Sequence, residues 1–441
     1  MSNKEIAILG GGPAGLALGY YAQKKNYAFT IYEGQEKTGG NCRTFQYEDF
    51  LFDAGAHRIH DKSAEVTQLI KDLMQGELKQ IHSPSQIYKD GKFIDFPLTP
   101  LNLVSKLGLP TFVKAAAEIA LENLKTRTGE DNFERLALKA YGKKIAENFL
   151  LNYSQKLWGT PCHQLSTQVA GKRLKGLNVK TFIIEGLLGL KAKTEHIDGA
   201  FYYPDYGIGS IFDRLAERCD LNNILTNHKV TKIYHQDQKI TKIELNHQSI
   251  KTVDCLLNTL PLNVFLNSLS PRPPAEILDL IQQIRFRSIL LVVFMIDKPS
   301  INNNASMYFP DEEFPFTRIY EPKNRSAKMA PSNKTTLAVE IPCQHNDYWW
   351  KLGEEELIEE IKGKVLPLGF FKEDELLNVV VKRLPFAYPI LEIGFEEKIA
   401  TILDYLKGFK NLYTNGRNGL FKYSHIHDMF LTGKATIESI E

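Results

Sequence analysis

The sequence predicts an α/β fold, in which a nucleotide-binding core assembled from separated pieces carries a mostly helical insertion and an antiparallel-sheet module. Three observations lead there. The chain opens with strand, glycine-rich turn, helix and strand in that order. A long middle stretch has helical periodicity, and short strands return after residue 200. At 441 residues the chain is long enough for two or three packed modules. Hydrophobic residues at 43% and charged residues at 24% mark a globular protein, not a disordered one.

The elements follow in order. A first strand covers 5–9, a helix starts at Pro13 and a second strand covers 28–33. From Val66 to Leu190 the pattern is mostly helical. The stretch 111–125 has an apolar face (Phe112, Ala115, Ala116, Ile119, Ala120), and 133–158 carries another. Strands 229–234 and 240–245 flank the polar turn Gln236-Asp237-Gln238, as in a hairpin, and a strand from Cys255 ends at Pro261. Strands with polar loops fill 288–340, helices follow at 354–365 and 395–406, and 411–440 reads as strand, turn and helix. The expected organisation is therefore a discontinuous nucleotide-binding domain (1–75, 195–270 and 385–441), a helical insertion (76–194) and a sheet-containing substrate domain (271–384).

Within the opening unit, Gly10-Gly11-Gly12-Pro13-Ala14-Gly15 fits a GxGxxG fingerprint. Gly10 permits the sharp turn, Gly12 lets backbone approach a pyrophosphate, and Gly15 lets helix and strand pack closely. The helix beginning at Pro13 and Ala14 then aims free N–H groups and a partial positive charge at the phosphates. Glu33, about 20 residues on, ends the second strand where a carboxylate can accept ribose hydroxyls. This is the pattern of a Rossmann-type domain.

Composition excludes several alternatives. Lys plus Arg (54) exceeds Asp plus Glu (52) by two, which gives no reason to expect nucleic acid or an anionic membrane as partner. The five cysteines are scattered without a CxxC pair, so neither a zinc site nor a disulfide framework is indicated, and a reducing, cytoplasmic setting fits. The longest apolar run, 289–296, is too short to span a bilayer. His425 and His427 have no third ligand in view, so no metal is expected.

After Glu33 come Gly39-Gly40-Asn41-Cys42-Arg43-Thr44 and then Phe52-Asp53-Ala54-Gly55-Ala56-His57. The Gly pair followed by Arg and Thr resembles the second nucleotide-binding element of amine-oxidase-like flavoproteins. That resemblance implies noncovalent FAD, with Gly40, Asn41 and Arg43 along the diphosphate and flavin and His57 in the flavin-side loop. Lys229-Val230 resembles the segment that lines the adenine. Gly416-Arg417-Asn418-Gly419 is expected to open a helix and to supply further donors to phosphate or flavin.

Four further stretches narrow the resemblance. Tyr153-Ser154-Gln155-Lys156-Leu157-Trp158-Gly159-Thr160-Pro161, Phe316-Thr317-Arg318-Ile319-Tyr320-Glu321-Pro322-Lys323, Ala387-Tyr388-Pro389-Ile390 and Gly416-Arg417-x-Gly419-x-x-x-Tyr423 occur in the order seen in the UDP-galactopyranose mutase branch of that superfamily. The similarity covers residues 5–437. It implies a cleft in which arginines hold a substrate diphosphate and aromatic rings frame the rest. The matching positions are His57, Arg173, Arg285 and Tyr388 as catalytic residues, with Tyr153, Trp158, Arg287, Phe316 and Tyr423 as substrate contacts; which of Arg285 and Arg287 faces the cleft is left open by the sequence. The implied activity is that of an FAD-dependent enzyme of the oxidoreductase class with a mutase-like cleft, acting on a sugar nucleotide or another phosphorylated small molecule. A redox-neutral mutase and an amine or porphyrinogen oxidase are the alternatives. No second GxGxxG for a nicotinamide cofactor is present, so a reductant of the flavin is an unidentified partner. Phe316 lacks the hydroxyl of the family's tyrosine, and His425 and His427 replace acidic residues.

Overall fold

The computed structural model describes residues 5–96, 114, 117–122, 131–170 and 200–440. Arg173 and most of the helix expected over 111–125 lie outside the described residues. The strand Glu5–Leu9 sits in the middle of a five-stranded parallel sheet. The sheet order is Leu412–Thr414, Cys255–Asn258, Glu5–Leu9, Ala28–Tyr32, Ile224–Leu225. Its strands come from three distant parts of the chain. Both faces are buried, which is why the strands read as continuous apolar runs. Ile6 and Ile8 point into a core shared with the helices Pro13–Lys24, Ala64–Met74, Gly209–Arg218 and Ile426–Glu438. Ala7 and Leu9 point the other way, into a core with the Val230–Gln236 and Lys239–Leu245 hairpin and the helices Leu262–Asn267, Ala275–Gln283 and Phe395–Lys407.

The second large unit is a seven-stranded sheet built on Phe286–Ile296 and Thr335–Cys343, in which every residue is buried. Alternate residues again serve two cores. Leu290, Val292, Phe294 and Ile296 pack under the helix Glu354–Val365. Leu291, Val293 and Met295 meet Phe50 and Phe52 of the hairpin Thr44–Tyr47/Phe50–Asp53. That hairpin couples the parallel-sheet unit, through the start of helix Gly209–Arg218, to the seven-stranded sheet.

Three expectations are corrected. The hairpin Ser85–Lys89/Lys92–Phe96, assigned from sequence to the helical insertion, is the edge of the seven-stranded sheet and joins it through Ser306–Tyr308. Its turn, Asp90-Gly91, has both residues at positive φ, the conformation of a tight two-residue hairpin turn. The strand Leu376–Pro389 carries the sheet past the boundary set at residue 385. Residues 416–419 form turns rather than a helix start; the helix begins at Ile426. The long periodic stretch 133–158 is the helical segment Phe133–Ile145, kinked at Gly142 (φ 73), then a π-helical segment Ala146–Leu151 and α-helix Asn152–Trp158. Among the described residues no helix is long and apolar enough to cross a membrane.

Candidate cofactor and substrate site

Three glycine turns meet at the N-terminus of helix Pro13–Lys24. Gly10 has φ +95, and a Cβ on Gly15 would lie 1.8 Å from the Gly10 carbonyl oxygen, so helix and strand touch backbone to backbone. Gly12 caps the helix with no side-chain hydrogen bond, which leaves the first N–H groups open. The Gly39 N–H donates to the Gly11 carbonyl at 2.8 Å, and a Cβ on Gly40 would stand 3.1 Å from Gly12 Cα. From the far end of the chain, Gly416 (φ +83) approaches the same helix start, its Cβ position 2.9 Å from Ala14 Cβ. The result is a cradle of bare backbone and open donors, the fit a dinucleotide diphosphate requires.

The flanking groups agree with that use. Glu33 Oε2 accepts the Gly11 N–H at 2.7 Å and Oε1 accepts the Gln35 N–H at 2.8 Å, which fixes the carboxylate at the strand end. The His228 N–H donates to the Glu33 carbonyl at 2.8 Å, bringing the start of Val230–Gln236 beside it. Asn41 Nδ2 donates to the Phe386 carbonyl, and Arg43 Nε donates to the Gly40 carbonyl with its guanidinium over Phe45.

Beside the cradle runs the loop that carries His57. Its Nδ1 lies 3.1 Å from the Gly55 carbonyl oxygen. A carbonyl can only accept, so Nδ1 carries the proton and Nε2 is a bare acceptor. Burial, together with the charges of Arg417, Arg318 and Arg325, pushes the imidazole down to about 3, so it is neutral at pH 7. The Arg417 Nε and Nη2 donate to the Ser424 carbonyl, and its guanidinium lies 5.8 Å from the Tyr388 ring and 5.2 Å from the Tyr423 ring.

The aromatic candidates converge here from separate elements. Trp158 meets Tyr388 and Tyr423 edge-on, at 6.0 and 6.1 Å between ring centroids. Tyr153, one helical turn away from Trp158, meets Tyr308 at 5.8 Å. Burial holds the Tyr153 and Tyr388 hydroxyls above their ordinary range, Tyr388 at about 12, so both are donors.

The arginines divide differently from expectation. Arg287 is 6% exposed and gives its N–H groups to the carbonyls of Leu157, Lys156 and Pro342, each at 3.0 Å, with Asp347 at 3.3 Å. It clamps the C-terminus of helix Asn152–Trp158 to the sheet and spends four of its five N–H donors inside the protein. Arg285 pairs with Glu392 and donates to Thr160 Oγ1 at 3.0 Å, with 40% of its side chain still exposed. Phe316 does not reach the cleft: it is fully buried among Phe309 and Phe314. The arginine two residues on, Arg318, does lie at the cleft, bound to Glu340 at 2.7 Å. Its motif gave no sign of this difference: the strand begins at Arg318, and Phe316, ahead of it, packs in the core that holds Ile319, which faces away from Arg318. His425 and His427 stack at 5.5 Å, and no group of three metal-ligating side chains occurs among the described residues.

Residues 13–385 match the family described as flavin containing amine oxidoreductase. The chain belongs to that family. It is an FAD-dependent enzyme, and the glycine cradle is where its residues fit FAD. Among the relatives of this flavoenzyme, coproporphyrinogen III oxidase of Staphylococcus aureus is 22% identical, covering 99% of both chains. The Bacillus subtilis coproporphyrinogen III oxidase is 20% identical over 98% of this chain and 97% of its own. In fold, the flavoenzyme is similar to reduced UDP-galactopyranose mutase, with a TM-score of 0.86 and 20% identity over 99% of this chain and 95% of the other. A putrescine oxidase bound to putrescine follows at a TM-score of 0.65 and 15% identity, over 99% and 98%.

Proposed function

We propose that the chain is an FAD-dependent oxidoreductase acting on a small organic molecule held against Tyr153, Trp158, Tyr388 and Tyr423. One observation carries this reading. Trp158, Tyr388 and Tyr423 come from the helix Asn152–Trp158, the strand Leu376–Pro389 and the loop after Leu412–Thr414, yet they gather at Arg417 beside the His57 loop and the glycine cradle, and Tyr153 stands on the same helix as Trp158. A cleft walled by aromatic rings with a few fixed polar groups suits a flat or partly apolar substrate.

FAD, held noncovalently, supplies a two-electron acceptor when bound. Gly10, Gly12, Pro13, Ala14 and Gly15 present the helix start to the diphosphate. Glu33 offers ribose hydroxyls the lone pairs that Gly11 and Gln35 leave free. Val230 borders the adenine, and Gly40, Asn41, Arg43, Gly416 and Arg417 border the flavin end. The rings of Trp158, Tyr388 and Tyr423 orient the substrate and keep water from it. His57 Nε2, being bare at neutral pH, accepts a hydrogen bond there and does not give one.

Arg285 favours a second reading. It lies beside Thr160, two residues beyond Trp158, and retains 40% exposure, so it can still meet a phosphate. With Arg173 it would hold a sugar nucleotide or other phosphorylated substrate, in a redox-neutral reaction needing flavin reduced beforehand by a separate reductant. The test begins with the visible spectrum of the purified protein. Bleaching of the flavin band when amines or a porphyrinogen are added anaerobically supports the oxidoreductase. An oxidised band inert to all of these, with a dithionite-reduced spectrum that shifts on adding UDP-sugars but not on adding amines, supports the second reading. A colourless protein that FAD cannot reconstitute sinks both.

A further inference from the structure

Arg318 is set by register at the centre of the cleft wall. Across one strand pairing it faces Glu340, and across the other Tyr308, whose ring meets Tyr153. Its Nε and Nη2 both turn to Glu340 Oε2, at 2.7 and 2.5 Å. Glu340 is 2% exposed, and its other oxygen accepts the Ala56 N–H at 2.9 Å, so the pair is anchored to the His57 loop. This arrangement leaves the guanidinium half used. Nη1 makes no hydrogen bond among the described residues, and 18% of the side chain remains exposed. The hydroxyls of Tyr153 and Tyr388 donate to nothing among the described residues; the Tyr153 ring meets Tyr308, the strand partner of Arg318, and the Tyr388 ring lies by Arg417.

The local field has the matching sign. Three guanidinium groups, Arg318, Arg325 and Arg417, act on His57. Glu340 offsets the first, and buried Asp53 lies within reach of the second. Arg417 is bonded to carbonyl oxygens, which carry no net charge. An anion entering the cleft meets a net positive surface with an open, preorganised N–H edge.

We propose that Arg318 is the anion-recognition residue of the cleft, and that its Nη1 edge, with the hydroxyls of Tyr153 and Tyr388, receives a carboxylate or phosphate oxygen of the substrate. This rests on the flavoenzyme reading above and deepens it, since it names the substrate class as anionic. The site differs from a two-arginine diphosphate clamp: one fork edge and two phenols suit a single oxyanion.

The experiment uses FAD-loaded protein and three aromatic probes of similar shape: benzoate, phenyl phosphate and benzyl alcohol. Binding is followed by calorimetry and by perturbation of the flavin band. At least one anion binds more tightly than the alcohol. Arg318→Lys keeps a charge for Glu340 but lacks the second edge; it weakens that anion about tenfold or more and leaves the alcohol and the FAD content unchanged. Preference for benzoate identifies carboxylate substrates, and preference for phenyl phosphate identifies phosphorylated ones. Should Arg318→Lys fail to fold, Tyr153→Phe and Tyr388→Phe carry the same test, each removing one hydroxyl and weakening the anion about threefold. The proposal is overturned if the alcohol binds as well as the anions, if none of the three binds, or if anion affinity is indifferent to these substitutions. Absence of the visible flavin band before any probe is added is the separate sign that the flavoenzyme reading itself has failed.

Discussion

The carbonyl oxygen of Gly10 lies 1.8 Å from where a methyl group on Gly15 would stand. Gly15→Ala therefore forces the helix Pro13–Lys24 off the strand before it. The expected loss is about 1–3 kcal/mol of stability in urea melts, with loss of bound FAD in the visible spectrum. Retention of both would show that the contact is looser than the structure has it. His57 governs a pH effect of definite sign. Its folded value near 3 lies below the ordinary 6.5, so below pH 6.5 the unfolded chain binds the proton that the folded one refuses. His425, also pushed down to about 3 by burial, acts in the same direction. Stability is full above pH 6.5 and falls as the pH drops towards 3. Replacing His57 with Gln flattens part of that slope, as thermal melts across the range will read. At this scale the sequence was most legible in the glycines and Glu33, whose roles depend on neighbours a few residues away. The arginines were opaque, because nothing local says whether an N–H will meet a ligand, a carboxylate or a carbonyl.

Between elements, the joint that shapes the cleft is the cation-to-carbonyl clamp on helix Asn152–Trp158. Arg287 holds the Lys156 and Leu157 carbonyls, and Lys156 Nζ in turn donates to the carbonyls of Asp311 at 2.7 Å and Phe314 at 2.9 Å. Arg287→Met leaves those carbonyls and Asp347 without their partner in a buried setting. It is expected to lose about 3–5 kcal/mol, measured by urea unfolding. Arg285→Met removes a pair that is 40% exposed and is expected to lose less than about 1 kcal/mol. Equal losses would mean that burial does not separate the two. The elements themselves were legible where the pattern was strong. The Val230–Gln236/Lys239–Leu245 hairpin and the helix Glu354–Val365 fall where alternation and helical periodicity put them. The strand Leu376–Pro389 was hidden by Pro385 and Pro389, which suit an edge strand and discourage reading a strand at all. The Ser85–Lys89/Lys92–Phe96 hairpin carried the Asp90-Gly91 signal, but its partner strand Ser306–Tyr308 lies some 220 residues away, beyond any local pattern.

For the molecule as a whole, the cofactor cradle is closed by segments that meet only in the folded state: residues 10–15, 39–40 and 416. FAD that binds this arrangement and not the unfolded chain stabilises it by mass action, about 2.7 kcal/mol at a hundred times Kd. The melting temperature is expected to climb with added FAD, read by tryptophan fluorescence, and to be indifferent to riboflavin, which lacks the diphosphate. A melting point unmoved by FAD would contradict the cradle.

The strand Leu412–Thr414 and helix Ile426–Glu438 complete the parallel sheet and its outer layer, with Gly433 seated against Ala17 of the first helix. During synthesis on the ribosome the glycine-rich turn is made roughly 400 residues ahead of the strand and helix that shore it up. Until they are made the nascent chain carries a cradle without its Gly416 side, and flavin loading is expected to wait for them. A truncation at residue 411 should leave the fingerprint motif intact in sequence and the protein colourless.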